Sequence, residues 1–203
     1  MKEQKIVVIG SGGTIGKEVA MYLSTRHEVI TAGRTGGDIQ VDISDTASIE
    51  KMFQDVVEID AVICAAGEAK WDAFNDLSEE DYYIGIRSKL MGQVNLVRTG
   101  SAHLNDNGSF TLTTGILAED PVIRTASAAM VNGALHSFVM AASLELERGL
   151  RVNAVASGLV ENSEEKYRDY FPGHNPVPMK KMVNGYVRSV EGRRSGEIIR
   201  VYG

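Results

Sequence analysis

The sequence predicts an α/β fold, a doubly wound parallel sheet of about seven strands with helices on both faces. First, the β-branched run at residues 6–9 precedes glycines at positions 10, 13 and 16 and then a helical pattern. Second, short apolar segments alternate with helical segments along the chain, as in sheets built from β-α-β units. Third, no internal repeat or low-complexity tract divides the 203 residues. We therefore expect a single domain over residues 1–203.

Each element is predicted from its hydrophobic period and from the residues that bound it. The predicted strands are residues 6–9, 27–32, 39–43, 61–65, 110–113, 151–156 and 198–202. The predicted helices are residues 14–24, 46–56, 82–99, 125–148 and 179–190. Asp45 is expected to cap the second helix, Ser78 to open the third through a capping box, and Gly149 to end the fourth. Residues 161–178 form the long loop, which we expect to act as a lid.

Composition limits the classes of partner. A net charge of −6 argues against nucleic acid, because phosphate contacts need a basic face. The single cysteine, Cys64, excludes an internal disulfide, fits a reducing compartment, and is interpreted as a small buried thiol rather than a nucleophile. The charged N-terminal residues and the lack of an apolar run of about 20 residues predict neither a signal peptide nor a membrane helix. We expect a cytoplasmic protein with no membrane partner and, without a two-His or Cys-x-x-Cys spacing, no metal.

The glycine-rich turn predicts binding of a nucleotide pyrophosphate. The first glycine permits a sharp turn after the first strand, and the last lets the helix pack close to that strand. Between them, backbone N–H groups face phosphates at a helix N-terminus. The predicted contacts of this turn are Gly10, Ser11, Gly13, Thr14, Ile15 and Gly16. The alternative is a tight turn that binds nothing, but its position between a strand and a helix favours the nucleotide.

The residues after the second strand predict which dinucleotide binds. Arg34 and Thr35 follow that strand where such folds hold the adenosine ribose, and an arginine suits the 2′-phosphate of NADP(H). NAD(H) is therefore the less favoured cofactor. Asp42 and Ile43 end the third strand, beside the expected adenine. The alternatives are a solvated loop arginine and a helix-capping aspartate, and Asp38 lies too far along the chain to be the ribose ligand.

Together these motifs resemble the short-chain dehydrogenase/reductase family, whose fold is of the Rossmann type, and the resemblance spans nearly the whole chain. The glycine spacing is similar to the family's G-x-x-G-x-x-G form, and residues 41–45 resemble its adenine-contacting segment. Residues 64–67 resemble its N-N-A-G motif without the asparagines, and residues 151–158 resemble R-V-N-x-V-x-P-G with Ser157 in place of proline. The resemblance implies further cofactor contacts at Ala65, Ala66, Gly67, Gly158 and Val160.

The chain departs from the family at the catalytic helix. The family's catalytic tyrosine and lysine lie four residues apart there. Counting back from residues 143–146, which resemble the family's A-x-E-L, puts Ala128 and Asn132 at those two positions. The serine position falls on Gly115, with Thr114 beside it. Since alanine cannot do acid–base work, the resemblance implies that the usual catalytic pair is missing.

Lys89 offers a replacement. In the family, an asparagine stands three residues before a glycine in the preceding helix, and Gly92 puts that position at Lys89. Lysine and asparagine are thus exchanged between the two facing helices, as Lys89 and Asn132. A lysine whose pKa is lowered by burial can act as an electrophile or acid beside a nicotinamide. The alternative is a surface lysine on an amphipathic helix.

Other side chains give weaker indications. We interpret His136 as a helix-face residue rather than a base. His174 and Tyr167 are interpreted as mobile side chains of the long loop, with closure over a substrate as the alternative. Trp71 and Phe74 either line the rim of the pocket or pack the following loop.

Two functions remain open. The first is an NADP(H)-dependent oxidoreductase acting on a small carbonyl or alcohol substrate, with Thr114, Lys89 and Asn132 replacing the usual catalytic residues. The second is a catalytically silent NADP(H)-binding sensor or scaffold, which the missing tyrosine and lysine favour.

The two long helices also predict self-association. Met91, Met130, Met140 and Phe138 cannot all pack on one sheet, and a helix that is apolar on two faces needs a second partner. The resembling family pairs these helices between subunits. We therefore expect a homodimer or homotetramer.

Overall fold

The computed structural model describes residues 2–203 and contains a parallel sheet of seven strands in the order β3-β2-β1-β4-β5-β6-β7. The strand order reverses between β1 and β4, which opens a crevice at the carboxyl ends of these two strands. The strands are β1 Lys5–Ile9, β2 Glu28–Gly33, β3 Ile39–Gln40, β4 Ile59–Cys64, β5 Leu104–Gly115, β6 Arg151–Ser157 and β7 Ile198–Val201.

Helices cover both faces of this sheet. They are α1 Thr14–Leu23, α2 Thr46–Asp55, α3 Glu79–Gly85, α4 Gly92–Gly100, α5 Ala126–Ala142, α6 Glu164–Tyr167 and α7 Met179–Glu191. One buried cluster joins Val7 and Ile9 of β1 to α2, α4 and α5, and the other joins Ile6 and Val8 to α1 and α7. Successive strand residues point to opposite faces, so an uninterrupted apolar strand supplies both cores. The predicted doubly wound fold is confirmed.

The predicted caps of α2 and α3 are present. Asp45 accepts a hydrogen bond from the Ala47 amide at 2.9 Å. Ser78 and Asp81 form the reciprocal capping box in front of α3. These short-range contacts fix where two helices begin.

Two predicted elements are shorter in the structure. The helix expected to reach residue 148 ends at Ala142, and turns follow it. Arg148 leaves the helix to donate hydrogen bonds to the carbonyls of Leu104 and Ser101, while Gly149 adopts a φ of +70°. The third strand stops at Gln40, although Val41 and Ile43 beyond it are still buried.

The third helix is interrupted. A π-helical segment, Ile86–Met91, lies between α3 and α4 and carries Lys89. Such segments hold one additional residue per turn and are frequent at functional sites. Within residues 2–203, no helix combines the length and the apolar character that crossing a membrane requires.

Candidate functional site

Three adjoining cavities follow the carboxyl edge of the sheet. The first, about 600 Å³, is lined by the glycine turn and the end of β2. The second, about 230 Å³, lies between Arg34, Asp42 and Ala66. The third, about 770 Å³, begins at Ile15 and Gly67 and is called here the reaction chamber. The three cavities share lining residues and form one groove over the point where the strand order reverses.

The glycine turn is shaped by two close backbone approaches. Gly10 has a φ of +84°, and a Cβ there would lie 2.7 Å from the Ala65 carbonyl oxygen. A Cβ on Gly16 would overlap the Gly10 carbonyl, so this glycine packs helix against strand and does not line the groove. At Gly12 a Cβ would meet no atom within 4 Å. The middle of the turn is therefore open while its two ends are closely packed.

Helix α1 presents an uncapped N-terminus beside the first cavity. Its N-cap residue is Gly13, and no side chain caps its first amides. The positive end of the helix dipole and these N–H groups favour an anion. Lys17, in the first turn of α1, lines the same cavity and was missed from the sequence, although its place one turn after Gly13 points to it.

Arg34 lines both the first and the second cavity. Its nearest acidic partner is Glu68, 4.0 Å away, and the side chains of both are about two-thirds exposed, which makes a weak pair. Asp38 is held by Thr31, whose amide and hydroxyl lie 2.9 and 2.7 Å from its carboxylate. Arg34 is thus free to bind an anion in the groove, whereas Asp38 has a structural role.

Asp42 lines the second cavity with Ile43. Its carboxylate accepts hydrogen bonds from the amide and hydroxyl of Ser44 at 2.9 and 2.6 Å. These bonds lower the pKa of Asp42 and fix its orientation. Of the predicted cofactor contacts, all but Thr14 and Gly16 line one of the three cavities.

The reaction chamber contains the three residues predicted to carry chemistry. Lys89, Thr114 and Asn132 line it together, from the π-helical segment, the end of β5 and helix α5. Ala128, at the position of the expected tyrosine, lines it as well. No lysine in the chain stands four residues after a tyrosine, so the usual pair is not displaced elsewhere.

Lys89 lies against the backbone of the β4 loop. A Cβ on Gly67, whose φ is +115°, would lie 2.8 Å from Lys89 Cα. Burial lowers the pKa of Lys89, and the Cys64 thiol acts weakly in the opposite direction. The Cys64 pKa is itself raised by burial to about 11, so the thiol is neutral at pH 7. Lys89 is therefore half-buried at the edge of the chamber, and Cys64 is the buried thiol that the sequence predicts.

Asn132 lines the chamber and contains a polar atom without a hydrogen-bond partner in the described part of the chain. The residue is 4% exposed, and its Oδ1 is buried without a hydrogen-bond partner among residues 2–203. An unpartnered buried acceptor is costly, so this atom indicates that a donor completes the site. The open glycine turn in the first cavity and the unpartnered Asn132 oxygen at the reaction chamber fit a long ligand with an anionic group at the turn and a hydrogen-bond donor at the chamber.

A polar chain behind the chamber was missed from the sequence. His136 is buried rather than on the helix face, and its Nε2 lies 2.8 Å from Thr114 Oγ1. Its Nδ1 lies 3.7 Å from Glu119, which Arg200 of β7 binds with two nitrogens. One clue was present, since His136 stands one turn after Asn132 on the same face of α5. Nothing local indicates Glu119 or Arg200.

Aromatic side chains form the outer wall of the chamber. Trp71 lies 5.4 Å from Tyr167 and 5.7 Å from Tyr170, measured between ring centroids, and all three line the chamber. This packing favours closure over a substrate, the alternative interpretation of Tyr167, over that of a mobile loop side chain. Phe74 is 73% exposed and does not line the chamber. His174 lies outside the chamber, 3.6 Å from Asp120.

A metal centre finds no support in the described part of the chain. Among residues 2–203, no group of three or more His, Cys, Asp or Glu side chains is arranged to hold an ion. The chamber is lined by three lysines and one carboxylate, namely Lys70, Lys89, Lys166 and Glu68, so cations are in excess there.

Comparisons with known proteins agree with this geometry. A family model described as enoyl-(acyl carrier protein) reductase matches residues 17–182. The hydroxynaphthalene reductase-like protein Arp2 of Metarhizium brunneum is 24% identical over 210 residues, covering 88% of this chain and 78% of that protein.

Solved structures match over almost the whole chain. Protein lin1944 from Listeria innocua is 45% identical with a TM-score of 0.96, over 98% of this chain and 100% of that one. A small-chain dehydrogenase solved in complex with NADPH is 26% identical with a TM-score of 0.86, over 99% of this chain and 97% of that one.

Proposed function

The chain belongs to the short-chain dehydrogenase/reductase family, and from that membership we propose that it is an NADP(H)-dependent oxidoreductase that interconverts a small carbonyl compound and the matching alcohol. The observation that carries the proposal is the meeting of Lys89, Thr114 and Asn132 in a chamber that continues the glycine-turn groove. The NADPH held by a related dehydrogenase supports the choice of cofactor.

Residues along the groove would hold the cofactor in order. The glycine turn and the N-terminus of α1 receive the pyrophosphate, with Lys17 beside them. Arg34 and Thr35 receive the 2′-phosphate, and Asp42 and Ile43 border the adenine. The remaining predicted contacts, on the nicotinamide side, are Ala65, Ala66, Gly67, Gly158 and Val160. When bound there, the nicotinamide supplies or accepts the hydride.

The three chamber residues have distinct proposed roles. Lys89 places a positive charge beside the reacting oxygen, and its long stem also reaches towards the cofactor ribose. Asn132 Oδ1 accepts a hydrogen bond from the cofactor or substrate, which satisfies the orphan atom. Thr114 holds its hydroxyl towards the substrate oxygen. Together these contacts would orient a carbonyl and stabilise the charge that develops on it.

The residues in the wall of the chamber indicate the chemical class of the substrate. Trp71, Tyr167 and Phe171 offer aromatic faces and edges to the chamber, and Leu117 and Leu159 add aliphatic surface. Flat aromatic groups pack well against such a wall. We propose that the substrate is an aromatic ketone, quinone or the corresponding alcohol.

Cofactor titration and turnover test the proposal. NADPH is titrated by fluorescence, and a panel of aromatic ketones, quinones and alcohols is assayed through the absorbance of NADPH. We expect turnover that falls about a hundredfold or more in Lys89→Ala, because a preorganised charge at the reacting oxygen is lost. The matched control is Lys51→Ala on α2, away from the groove. NADPH binding without turnover of any panel member would leave the protein a silent dinucleotide binder.

A further inference from the structure

We propose that Thr114, His136 and Glu119 form a proton relay that serves the substrate oxygen in place of the absent tyrosine. The proposal rests on the oxidoreductase function proposed above and adds the source of the proton. Thr114 is its catalytic residue, because it lines the reaction chamber. His136 and Glu119 are positioning residues that act through it.

The inner half of the relay is a buried hydrogen bond. Thr114 ends β5 and is 3% exposed, while His136 lies on α5 and is 8% exposed. Their Oγ1 and Nε2 atoms are 2.8 Å apart, a good hydrogen-bond length. A threonine side chain that binds an imidazole on one side keeps its oxygen lone pairs available to the chamber on the other.

The outer half of the relay sets which ring nitrogen carries the proton. Glu119 Oε1 lies 3.7 Å from His136 Nδ1, an electrostatic contact rather than a direct hydrogen bond. Arg200 donates to Glu119 from Nε at 2.9 Å and from Nη2 at 2.6 Å, and Tyr202 lies 3.4 Å from the same carboxylate. A carboxylate facing Nδ1 favours a hydrogen there, which leaves Nε2 to accept from Thr114.

Burial favours the neutral form of the His136 ring at rest. Burial lowers the pKa of His136 below its ordinary value of 6.5, Arg200 lowers it further, and Glu119 acts in the opposite direction. Arg200 in turn holds the pKa of Glu119 below its ordinary range, so the carboxylate stays charged at pH 7. A neutral imidazole against a hydroxyl is a general base.

The proton balance is simple in the direction of alcohol oxidation. The substrate hydroxyl gives its proton to Thr114 Oγ1 while the Thr114 proton moves to His136 Nε2, which becomes imidazolium opposite Glu119. The substrate C–H bond breaks, its electron pair leaving as hydride for the oxidised nicotinamide, and the carbonyl π bond forms. Carbonyl reduction is the reverse and starts from protonated His136. When the product has left, the Nε2 proton returns through Thr114 Oγ1 to solvent in the open chamber, which restores the Nδ1-protonated tautomer.

Other hydroxyls near the chamber are less suited to this role. Tyr186 is fully buried and does not line the chamber; its hydroxyl lies 2.7 Å from that of Thr113, which donates to the Cys64 carbonyl. Tyr167 and Tyr170 line the chamber but pack on Trp71 in the outer wall. Among the hydrogen bonds of the described residues, only that of Thr114 joins the hydroxyl of a chamber residue to a histidine ring.

The free protein gives the first readout. Nitrogen NMR of the histidine rings, with His136 assigned through His136→Asn, reports tautomer and pKa without cofactor or substrate. We expect the Nδ1-protonated tautomer and a pKa below 6.5, lowered further in Glu119→Gln because the carboxylate that favours the charged ring is gone. An Nε2-protonated ring would overturn the relay, since it could not accept from Thr114.

The pH profile of alcohol oxidation gives the second readout. We expect kcat/KM to be level above the His136 pKa and to fall below it. In His136→Asn that limb disappears and the rate falls about 10²- to 10⁴-fold, while NADPH affinity stays within about twofold. Thr114→Ser keeps the profile and Thr114→Val loses it. The matched control is His103→Asn, because His103 directly precedes β5 at the end of the strand opposite to Thr114.

The possible failures are distinct. Turnover with an unaltered pH profile in His136→Asn contradicts the relay alone, as does a rate that collapses in Tyr167→Phe or Tyr170→Phe but not in Thr114→Val. NADPH binding with no turnover at all contradicts the oxidoreductase proposal and the relay with it.

Discussion

At the scale of single residues, two of the cations that line the groove, Arg34 and Lys89, differ in their surroundings. Arg34 is exposed, with Glu68 as its only weak partner among residues 2–203. Lys89 is half-buried, lines the reaction chamber and carries a lowered pKa. Arg34 can discriminate between ligands at little cost in folding stability. Burial of the Lys89 ammonium, in contrast, lowers the free energy of unfolding.

Replacing Arg34 tests cofactor choice. A charge-assisted hydrogen bond contributes about 1.5–3 kcal/mol, or roughly ten- to a hundredfold in affinity. Arg34→Ala should therefore weaken NADPH by that factor and leave NADH nearly unchanged, as measured by fluorescence titration. Glu68→Gln removes only the competing carboxylate and should not weaken NADPH. Equal affinity of the unaltered protein for both cofactors would contradict the preference.

Replacing Lys89 tests the cost of its burial. A lysine whose pKa is lower in the folded state binds fewer protons there than in the unfolded chain, so stability rises with pH as the alkaline range is approached. Lys89→Met should therefore stabilise the protein most at neutral pH, and the gain should shrink towards pH 10.5, the ordinary lysine value.

Urea unfolding at several pH values measures that gain. The exposed Lys51→Met is the matched control, for which the difference should not depend on pH. A gain for Lys89→Met that stays constant across the range would show that Lys89 is charged and solvated in the folded protein.

At the scale of elements, the glycine turn and the first turn of α1 act as one unit. Gly10, Gly12 and Gly16 differ in what a Cβ would meet, from backbone overlap at the ends to open space in the middle. Gly10 and Gly16 are therefore required for the backbone packing of the turn, whereas Gly12 faces the groove.

Two alanine variants test that separation. In Gly16→Ala the new methyl overlaps the Gly10 carbonyl, so the free energy of unfolding should fall by about 1–3 kcal/mol, and NADPH affinity should fall as well. Gly12→Ala meets no atom within 4 Å and should keep its stability. Urea midpoints read the stability and fluorescence titration reads the affinity. Equal midpoints for the two variants would contradict the packing role of Gly16.

The elements also show how far the sequence predicts the structure. Capping residues such as Asp45 and Ser78 accept hydrogen bonds from amides within three residues, so the local sequence is enough to predict them. The end of α5 was missed because Arg148 is drawn to carbonyls 44 and 47 positions earlier.

The candidate site likewise contains some residues that the sequence predicts and others that it does not. Glycines, Arg34 and Lys89 stand in patterns that can be counted along the chain. His136 bonds a residue 22 positions away, and Glu119 pairs with Arg200 across 81 positions. Such pairings depend on which strand ends and helix faces the fold brings together. The spacing of hydrophobic residues along the sequence does not predict them.

At the scale of the whole molecule, α5 has a face that the sheet does not cover. Its 17 residues include no Asp, Glu, Lys or Arg. Met130 and Met140 are 43% and 52% exposed, and Met91 on the neighbouring π-helical segment is 40% exposed. Phe138 instead packs against the core, so it is not part of this surface.

We expect this face to pair two copies of the chain. Static light scattering at micromolar concentration should give the mass of a dimer or tetramer, and Met130→Glu with Met140→Glu should reduce it by placing charges in the contact. Met21→Glu, on exposed α1, is the control and should leave the mass unchanged. A monomeric mass for the unaltered protein would contradict the expectation.

The π-helical segment has a consequence for how such a site arises. Inserting a single residue into an α-helix leaves a wide turn of this kind, because each additional residue adds roughly 100° of rotation that the flanking turns need not absorb. Gly85 before the segment packs against Val131, and Gly92 after it packs against Ile43. Lys89 lies between these two contacts, so the number of residues in the segment determines which side chain faces the chamber while both flanking turns keep their packing. Deleting one residue from the segment would rotate the side chains on one side of the deletion by roughly 100° and would turn Lys89 away from the chamber.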